Sequence, residues 1–299
     1  MRDSLTKTEE RAAYIMLVAP ALLLYLFVMA FPAVFSVFLS LSTYHGGKFF
    51  GENAFGFGGL KAYRDVFADQ YFYLALKNNV YIVLVSIFGQ IPLGFFLAYI
   101  LNRGLIKGVG FFQAMIYLPN VIAAVIIGIL FNRFLLSSSS IWMEIQRFFN
   151  PDVEFMPGKN SMTIILIVIL WMYTGMYMLI FLANLQKIDV SIIEASKIDG
   201  ASEMQTLRHI VFPALSGVLV TCAILAISGS LRSFDLIWVM TGGGPARSTS
   251  VLSIYMFEKA FRRAPDYPVA NAISTIMVVI CFILIGITRF AEKRLGARD

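Results

Sequence analysis

A set of polar, charged and aromatic side chains lies inside the long apolar segments of this sequence or at the mouth of one. Those inside are Gln90, Tyr173, Tyr177, Ser228, Arg232, Asp235, Asn271 and Ser274, and Asn120 lies at a segment mouth. Polar groups are costly in apolar surroundings, so such residues mark candidate paths or binding sites for a polar solute. Amides, hydroxyls, aromatic rings and charges bind a solute reversibly, which is the chemistry of recognition and passage.

Two of these groups have helical spacing. Tyr173 and Tyr177 are four residues apart and share one face, and Ser228, Arg232 and Asp235 follow each other with spacings of four and three. The tyrosines either pack with a hydrogen bond to a neighbouring helix or stack on a bound solute. Arg232 either has a structural role, as a partner of Asp235 or as a side chain that reaches water, or it contacts a ligand or a gate. For the remaining residues we expect interhelical hydrogen bonds.

The sequence contains no motif for nucleotide hydrolysis, metal binding or nucleophilic catalysis. Gly47-Lys48 and Gly158-Lys159 are followed by Phe and Asn, and the run Gly242–Pro245 has no lysine, so no phosphate-binding loop is present. Because His45 and His209 are the only histidines, a histidine-based metal cluster is excluded. We therefore predict no catalytic residue, no metal ligand and no cofactor in this chain, and no ATP hydrolysis by it.

A charged island, EASKIDGASEMQTLRHIVFP, occupies residues 194–213 between two apolar segments. The patterns Ser191-x-x-Glu194 and Ser202-x-x-Gln205 predict two capping boxes. Asp199-Gly200 lies between them and predicts a turn, so the island should fold as helix, turn and helix. Pro213 is expected in the opening turn of the next helix. Glu194 itself either completes its own capping box or meets a basic group of a partner.

The composition is that of a membrane protein. Of the 299 residues, 59% are hydrophobic and 14% are charged, whereas soluble domains have about 45–50% apolar and about 25% charged residues. A helix needs about 20 apolar residues to cross a bilayer. Six segments reach that length, near 13–39, 78–101, 111–132, 164–185, 215–238 and 269–290. We therefore predict an all-α, polytopic membrane protein with six transmembrane helices.

The flanking charges predict the orientation of these helices. Loop 102–110 has two basic residues and no acidic one, which favours the cytoplasm, so residues 1–12 are expected to form a cytoplasmic tail and both termini to be cytoplasmic. The first apolar segment is too long for the core of a signal peptide and should remain as a helix. The net charge of +6 is assigned to the membrane flanks, and no nucleic acid is expected as a partner. On the outer side, residues 60–73 predict a surface helix.

Two stretches resemble type I ABC-importer permeases. The charged island matches their EAA pattern, EAAxxDGAxxxxxFxxIxLP, at Glu194, Ala195, Asp199, Gly200, Ala201, Ile210 and Pro213. Ser196, Leu207 and Phe212 depart from the pattern but keep size or apolarity. The stretch SFDLIWVMTGGGP, residues 233–245, resembles the fifth-helix exit of the carbohydrate branch, in the subunit related to the maltose and glycerol-phosphate permeases. The resemblance extends over residues 10–295.

The resemblance implies a MetI-like permease core of six helices in residues 13–295. Loop 190–213 would be the coupling loop, which docks into a groove of an ATPase subunit through Glu194, Ala195, Asp199, Gly200, Ala201 and Pro213. The implied partners are a second, dissimilar permease subunit, two ATPase subunits that carry ATP and Mg²⁺, an extracytoplasmic solute-binding protein and the lipid bilayer. The expected role is non-enzymatic: to move a sugar, such as an oligosaccharide or a related solute, across a bacterial or archaeal inner or plasma membrane.

Three other functions remain open at this point. The chain can belong to a type I permease for another solute, such as an amino acid, a peptide or glycerol phosphate. It can be a secondary transporter or channel that works without ATP and is indifferent to Glu194→Ala. A membrane scaffold without transport activity is disfavoured by the polar residues inside the spans.

Overall fold

The computed structural model describes residues 7–46, 56–104, 107–136, 141–149, 161–262 and 264–294. Within these ranges the α-helices are α1 Lys7–Tyr25, α2 Phe31–Ser40, α3 Lys61–Ala68, α4 Gln70–Val85, α5 Ile91–Asn102, α6 Val109–Val121, α7 Ala124–Phe131, α8 Ile141–Phe149, α9 Ser161–Leu185, α10 Val190–Ile198, α11 Glu203–Thr206, α12 Phe212–Ala214, α13 Ser216–Leu231, α14 Asp235–Thr241, α15 Leu252–Phe261 and α16 Tyr267–Arg294. The one extended pairing in the described ranges is an antiparallel bridge between Ser42 and Phe57. The predicted all-α fold class is confirmed.

Four continuous helical stretches are long and apolar enough to cross a membrane. They are Ala13–Ser40, Gln70–Asn102, Ser161–Leu185 and Tyr267–Lys293. Two bent pairs also pass this test, Val109–Val121 with Ala124–Leu135 at 88° and Glu203–Ala214 with Ser216–Leu231 at 66°. When each bent pair is counted as one span, the described part of the chain has the predicted six.

The prolines near the spans are accommodated by π-helical turns. Such turns occupy Leu26–Ala30, Ser86–Gln90 and Leu207–Val211, and each ends two residues before a proline, Pro32, Pro92 or Pro213. Proline lacks an N–H, and its ring crowds the carbonyl one turn earlier, so widening the turn relieves the clash without ending the helix. Spans one and two therefore stay continuous.

The predicted surface helix over residues 60–73 is wrong in its extent. Helix α3 ends at Ala68, and the carboxylate of Asp69 accepts a hydrogen bond of 2.9 Å from the Tyr71 amide as the N-cap of α4. An N-cap residue leaves the helical conformation, which separates the two helices. The second span accordingly begins at Gln70 and not at residue 78.

The third and fifth predicted spans are both interrupted. Ile122 and Ala123 are extended, with ψ of 135° and 132°, between α6 and α7. The fifth helix, predicted to continue to residue 238, ends at Leu231, and Arg232–Phe234 lie outside helices before α14. The sequence analysis missed both breaks, although Pro119-Asn120 precede the first and Arg232, Ser233 and Asp235 lie at the second.

The chain divides into two compact units. One comprises Met1–Ala68 with Met256–Ile276, and the other comprises Asp69–Tyr255 with Met277–Asp299. In the first unit, Ser36 Oγ donates a hydrogen bond of 2.6 Å to Asn271 Oδ1, and Tyr44 stacks on Tyr267 with ring centroids 6.0 Å apart. The segment before α3 and the start of α16 are thereby held together.

The second unit contains two buried apolar clusters. One joins α5, α9 and the start of α13, and includes Phe181 and Leu215; the other joins α4, α7, α9 and α14, and includes Ile165 and Ile237. Helix α9 contributes to both clusters, so it is the central element of this unit.

Two glycines allow neighbouring helices to approach α9 closely. A Cβ at Gly94 of α5 would lie 2.7 Å from Tyr177 Cβ and 2.9 Å from the Met178 nitrogen. A Cβ at Gly175 of α9 would press on the Ile116 carbonyl oxygen of α6. Small residues at helix crossings permit such backbone contact in membrane proteins. These contacts set the position of α9 and therefore the positions of Tyr173 and Tyr177.

Candidate functional site

A cavity of about 520 Å³ lies within the second unit. Its wall comes from the π turn Ser86–Gln90, the middle of α9, and the two interruptions at residues 121–124 and 232–235. The predicted site residues that line it are Gln90, Tyr173, Tyr177, Arg232 and Asp235, and Asn120 joins them. The structure therefore brings together six of the nine candidate residues, from four different spans.

The two interrupted spans support each other beside the cavity. Asn132 Nδ2, in the π turn that follows α7, donates a hydrogen bond of 2.5 Å to the Met240 carbonyl of α14. A Cβ at Gly128 would be 3.0 Å from Val239 Cβ, so α7 and α14 pack in close contact. Irregular backbone is tolerated at membrane depth where it lines a cavity, and broken helices frequently form solute sites there.

Gln90 is buried and already bonded. Its side-chain nitrogen donates a hydrogen bond of 2.8 Å to the Ile169 carbonyl of α9, and the residue is 2% exposed. Nearby, the Ser86 and Ser230 hydroxyls are 3.2 Å apart. The expected interhelical role is confirmed for Gln90, which ties the second span to the fourth at the cavity wall.

Arg232 and Asp235 are exposed in the cavity and do not pair with each other. Among the described residues, no ion pair within 4 Å joins them, and Arg232 Nε is 3.4 Å from the Ser228 carbonyl oxygen. The helix break explains this, because Arg232 is at the end of α13 and Asp235 begins α14. A straight helix would have placed them on one face. The cavity thus offers one cation and one carboxylate to a solute.

The two tyrosines line the cavity from α9. Tyr177 is 3% exposed and Tyr173 is half-buried, and the structure records no hydrogen bond from either hydroxyl to another described residue. Of the two interpretations of this pair, the one that requires a hydrogen bond to a neighbouring helix has no support in the described contacts. Both residues belong to the lining of the cavity, although Tyr177 also packs in the apolar cluster around α5.

Three predicted pathway residues do not line this cavity. Ser228 Oγ is 3.8 Å from Cys281 Sγ, and Asn271 belongs to the first unit, where it bonds to Ser36 and to the Tyr267 carbonyl. Ser274 also belongs to the first unit and is half-buried there. The interhelical hydrogen bond expected by default is present for Asn271.

Asn78 and Asn79 do not line the cavity, but they hold backbone segments near it, and the sequence analysis missed them. Asn78 Nδ2 donates to the Ser248 and Ser250 carbonyls at 2.9 and 2.8 Å. Asn79 Nδ2 donates to the Ser230 carbonyl at 2.9 Å, and Asn79 Oδ1 accepts from the Leu252 amide at 2.8 Å. These bonds fix both the end of α13 and the segment that follows α14. Two adjacent asparagines at the start of an apolar span were the available signal.

Residues 190–213, here called the hairpin, form the predicted helix, turn and helix. Helix α10 ends at Ile198 with Asp199 as its C-cap, and Gly200 follows with a φ of +80°. The Ala201 and Gly200 amides donate to the Ser196 and Lys197 carbonyls at 2.9 and 3.1 Å. This is the Schellman arrangement that a glycine at this position favours. The predicted turn is confirmed.

One predicted capping box of the hairpin is confirmed and the other is wrong. Ser202 and Gln205 bond reciprocally at 3.3 and 2.7 Å. The first helix instead begins two residues earlier than the pattern indicated, because the Asp189 carboxylate caps it by accepting a 2.9 Å hydrogen bond from the Ser191 amide. That bond lowers the pKa of Asp189 below its ordinary value.

Glu194 consequently has no capping role. It is exposed on α10, and the structure records no hydrogen bond or ion pair between it and another described residue. Ile198 and Met204, exposed at 86% and 70%, add apolar surface to the same hairpin. Between its helices, the Ser196 and Thr206 hydroxyls are buried and 3.1 Å apart, which holds the hairpin together from inside.

The hairpin is attached to α5 at two points. Arg103 caps the end of α5, and its Nη2 lies 2.7 Å from Glu203 Oε1 and donates a 2.6 Å hydrogen bond to the Tyr99 hydroxyl. The hydrogen bond to Tyr99 raises the pKa of Arg103, and Glu203 adds to the rise. At the other point, Phe212 stacks on Phe95 with ring centroids 4.9 Å apart.

The chain is similar to known transport proteins over almost its whole length. Residues 90–297 match the family described as binding-protein-dependent transport system inner membrane component. The lactose transport system permease protein LacF of Rhizobium radiobacter is 32% identical over 281 residues, 92% of each chain. The multiple sugar-binding transport system permease protein MsmF of Streptococcus mutans is 30% identical over 283 residues, 94% of each chain.

A solved structure has the same fold. A chain of a bacterial ABC transporter involved in the import of the acidic polysaccharide alginate aligns with a TM-score of 0.80 at 20% identity and covers 97% of both chains. The family model covers well over half of the present chain, and the helical, membrane-spanning architecture agrees with it. This protein therefore belongs to the family of inner membrane components of binding-protein-dependent transport systems, the permease subunits of ABC transporters.

Proposed function

We propose that this chain forms half of the path by which an ABC importer moves a sugar, such as an oligosaccharide or a related solute, across the inner or plasma membrane. The observation that carries the proposal is the cavity. Its tyrosine rings and hydroxyls, with the unpaired Arg232 and Asp235, can stack on and hydrogen-bond a polyhydroxylated solute. The names of the lactose and multiple-sugar relatives support a sugar as the solute.

The energy for this movement would come from a partner. No ATP-binding motif is present in the sequence, so ATP and Mg²⁺ would bind to two ATPase subunits, and this chain would carry no cofactor and catalyse no reaction. The hairpin would dock on an ATPase subunit through Glu194, Ala195, Asp199, Gly200, Ala201 and Pro213. The exposure of Glu194 and of the apolar side chains around it supports this contact.

The remaining parts of the assembly follow from the same role. A second, dissimilar permease subunit would enclose the other half of the path, and an extracytoplasmic binding protein would deliver the solute. The hairpin would lie in the cytoplasm together with both termini. Residues 1–12 would form a cytoplasmic tail and residues 13–295 the permease domain. The same cavity is compatible with a permease for an amino acid, a peptide or glycerol phosphate. The uptake experiment distinguishes these solutes from a sugar.

The test is uptake by the complex of this chain with its second permease, its ATPase and its binding protein. Radiolabelled lactose, maltose, glycerol phosphate and alanine are offered in turn, with ATP present or absent. We expect uptake of a saccharide that requires ATP. If only alanine or only glycerol phosphate is taken up in the presence of ATP, that compound is the solute and the proposed sugar is wrong. Gradient-driven uptake by this chain without its partners would overturn the proposal.

Tyr173→Ala tests whether the cavity is the path. We expect it to lower uptake at least severalfold without lowering the amount of assembled complex, because one stacked ring is worth on the order of 1 kcal/mol. Ile167→Ala on the same helix is the matched control, since Ile167 is 59% exposed and does not line the cavity. Equal uptake by the two variants would exclude the cavity as the solute path.

A further inference from the structure

We propose that Arg103 and Glu203 position the hairpin on the second span so that displacement of the hairpin turns α5 and, through it, the wall of the cavity. The proposal rests on the proposed function, in which an ATPase subunit displaces the hairpin. It assigns a role to two residues that are outside the docking residues and outside the cavity.

The contact between Arg103 and Glu203 joins α5 to the hairpin in a defined geometry. The Arg103 guanidinium lies 5.0 Å from the centre of the Tyr99 ring, donates to the Tyr99 hydroxyl at 2.6 Å and pairs with Glu203 at 2.7 Å. The Arg103 side chain is 24% exposed, whereas that of Glu203 is 74% exposed. Arg103 is therefore fixed to its own helix by Tyr99 and presents its remaining donors to the hairpin. A guanidinium held in this way loses little further freedom when it binds a carboxylate.

A second attachment makes the link directional. Phe212 stacks on Phe95, eight residues before Arg103 in the same span. At 1.5 Å per residue the two attachments are about 12 Å apart along α5. With one contact the hairpin can rotate about that contact without moving α5. With two separated contacts, a rotation of the hairpin also tilts α5.

The helix that receives this motion reaches the cavity. Gln90 in the π turn of the second span lines the cavity and bonds to the Ile169 carbonyl of α9. Thirteen residues separate Gln90 from Arg103, about 20 Å of helix. Gly94, between them, lies directly against the backbone of α9. A tilt of α5 at its Arg103 end therefore changes the contact between the second and fourth spans at the cavity wall.

A purely stabilising role predicts something else. It predicts that Glu203→Gln lowers the amount or the unfolding temperature of the complex and leaves the import per hydrolysed ATP unchanged. Because an ion pair with one strongly exposed partner contributes little to folding, we expect no such loss of stability. Under the positioning role, the same substitution loosens the hairpin on α5 and lowers the amount of solute imported per ATP hydrolysed.

The experiment measures ATP hydrolysis and uptake in parallel on the complete complex in proteoliposomes. The probe is radiolabelled lactose or maltose, whichever the wild-type complex imports. The variants are Glu203→Gln, Arg103→Gln and the charge-exchanged pair Arg103→Glu with Glu203→Arg. Arg289→Gln is the matched control, because Arg289 forms an exposed ion pair with Glu292 at 3.3 Å that does not involve the hairpin.

We expect the ratio of imported solute to hydrolysed ATP to fall about two- to fivefold in each single variant, the range that an ion pair of this exposure can supply. The charge-exchanged pair should recover part of the ratio, and Arg289→Gln should match the wild type. An unchanged ratio in both single variants would overturn the link while leaving the proposed function intact. If the wild type itself shows no ATP-dependent uptake, it is the proposed function that fails.

A second readout needs no solute. Nitroxide labels at Ile198→Cys and Phe96→Cys, in a chain with Cys222→Ala and Cys281→Ser, report the distance between the hairpin and α5. We expect a broader distance distribution in Glu203→Gln than in the otherwise wild-type chain. Identical distributions would show that the ion pair does not hold the hairpin, and the proposal would then be wrong.

Discussion

Gly175 offers the most direct test of the packing that positions the cavity tyrosines. A methyl group at this position would press on the Ile116 carbonyl oxygen and lie 2.8 Å from Tyr117 Cα. Carbon atoms pack best at about 3.5–4.0 Å, so α6 and α9 must separate by about 0.7 Å or more. Both neighbours are backbone atoms, which cannot rotate away. Gly175→Ala should therefore destabilise the protein by about 1–3 kcal/mol, the usual cost of overpacking.

The same separation has a functional consequence, because Tyr173 and Tyr177 flank Gly175 on α9. Their displacement should lower solute uptake beyond what the loss of folded protein explains. Thermal unfolding of the complex in lipid nanodiscs and uptake per assembled complex measure the two effects separately. Gly217→Ala in α13 is the control, since a Cβ there meets nothing within 4 Å. Alanine in an open helical position should be neutral or stabilising by up to about 1 kcal/mol.

The reasoning would be refuted by a Gly175→Ala variant that unfolds at the wild-type temperature and transports at the wild-type rate. That result would mean that α6 and α9 do not approach each other at Gly175. Destabilisation of similar size in Gly217→Ala would point instead to a general sensitivity of these helices to added methyl groups, and would contradict the packing argument as well.

Four further predictions concern single side chains. Ser202→Ala should cost the hairpin about 1 kcal/mol by hydrogen exchange, whereas Ser191→Ala should cost much less because Ser191 is not the cap. Asn79→Ala, which leaves buried backbone groups unpaired, should destabilise by about 2–4 kcal/mol in thermal unfolding. Glu194→Ala should leave unfolding unchanged but uncouple ATP hydrolysis from uptake. The stability that Asp189 adds should be complete above its unfolded pKa and disappear as the pH falls through its lowered folded pKa, as hydrogen exchange of α10 would show.

Local sequence signals predicted the hairpin well. Ser202 and Gln205 lie within one turn of each other, and Gly200 needs only its own backbone freedom to end α10, so short-range chemistry decides both. The long apolar spans were predicted for the same reason, since their length and hydropathy are local properties.

The cavity could be predicted only as a collection of residues. Its shape depends on the breaks at Ile122 and at Arg232, and polar residues at such positions, for example Arg232 and Ser233, do not by themselves indicate whether a helix continues or breaks. Nor does the sequence state that Asn78 and Asn79 bond to carbonyls about 150 or more residues away. Such contacts exist because buried backbone groups freed by a helix break must be paired by whatever side chain lies nearby.

The polar departure of the hairpin from the EAA pattern, Ser196, is compensated inside the hairpin, so the outer surface proposed for docking does not depend on it. Ser196 replaces an alanine at a buried position, where an unpaired hydroxyl would be costly, and Thr206 and the Ile193 carbonyl pair with it. Asp189 is the N-cap in place of the predicted capping box of Ser191 and Glu194, and Glu194 is left exposed. Because these polar changes are satisfied internally, none of them alters the exposed face that carries Glu194. Replacing Thr206 by valine should therefore weaken the hairpin from within, and it should lower coupling only to the extent that hydrogen exchange shows the hairpin to have opened.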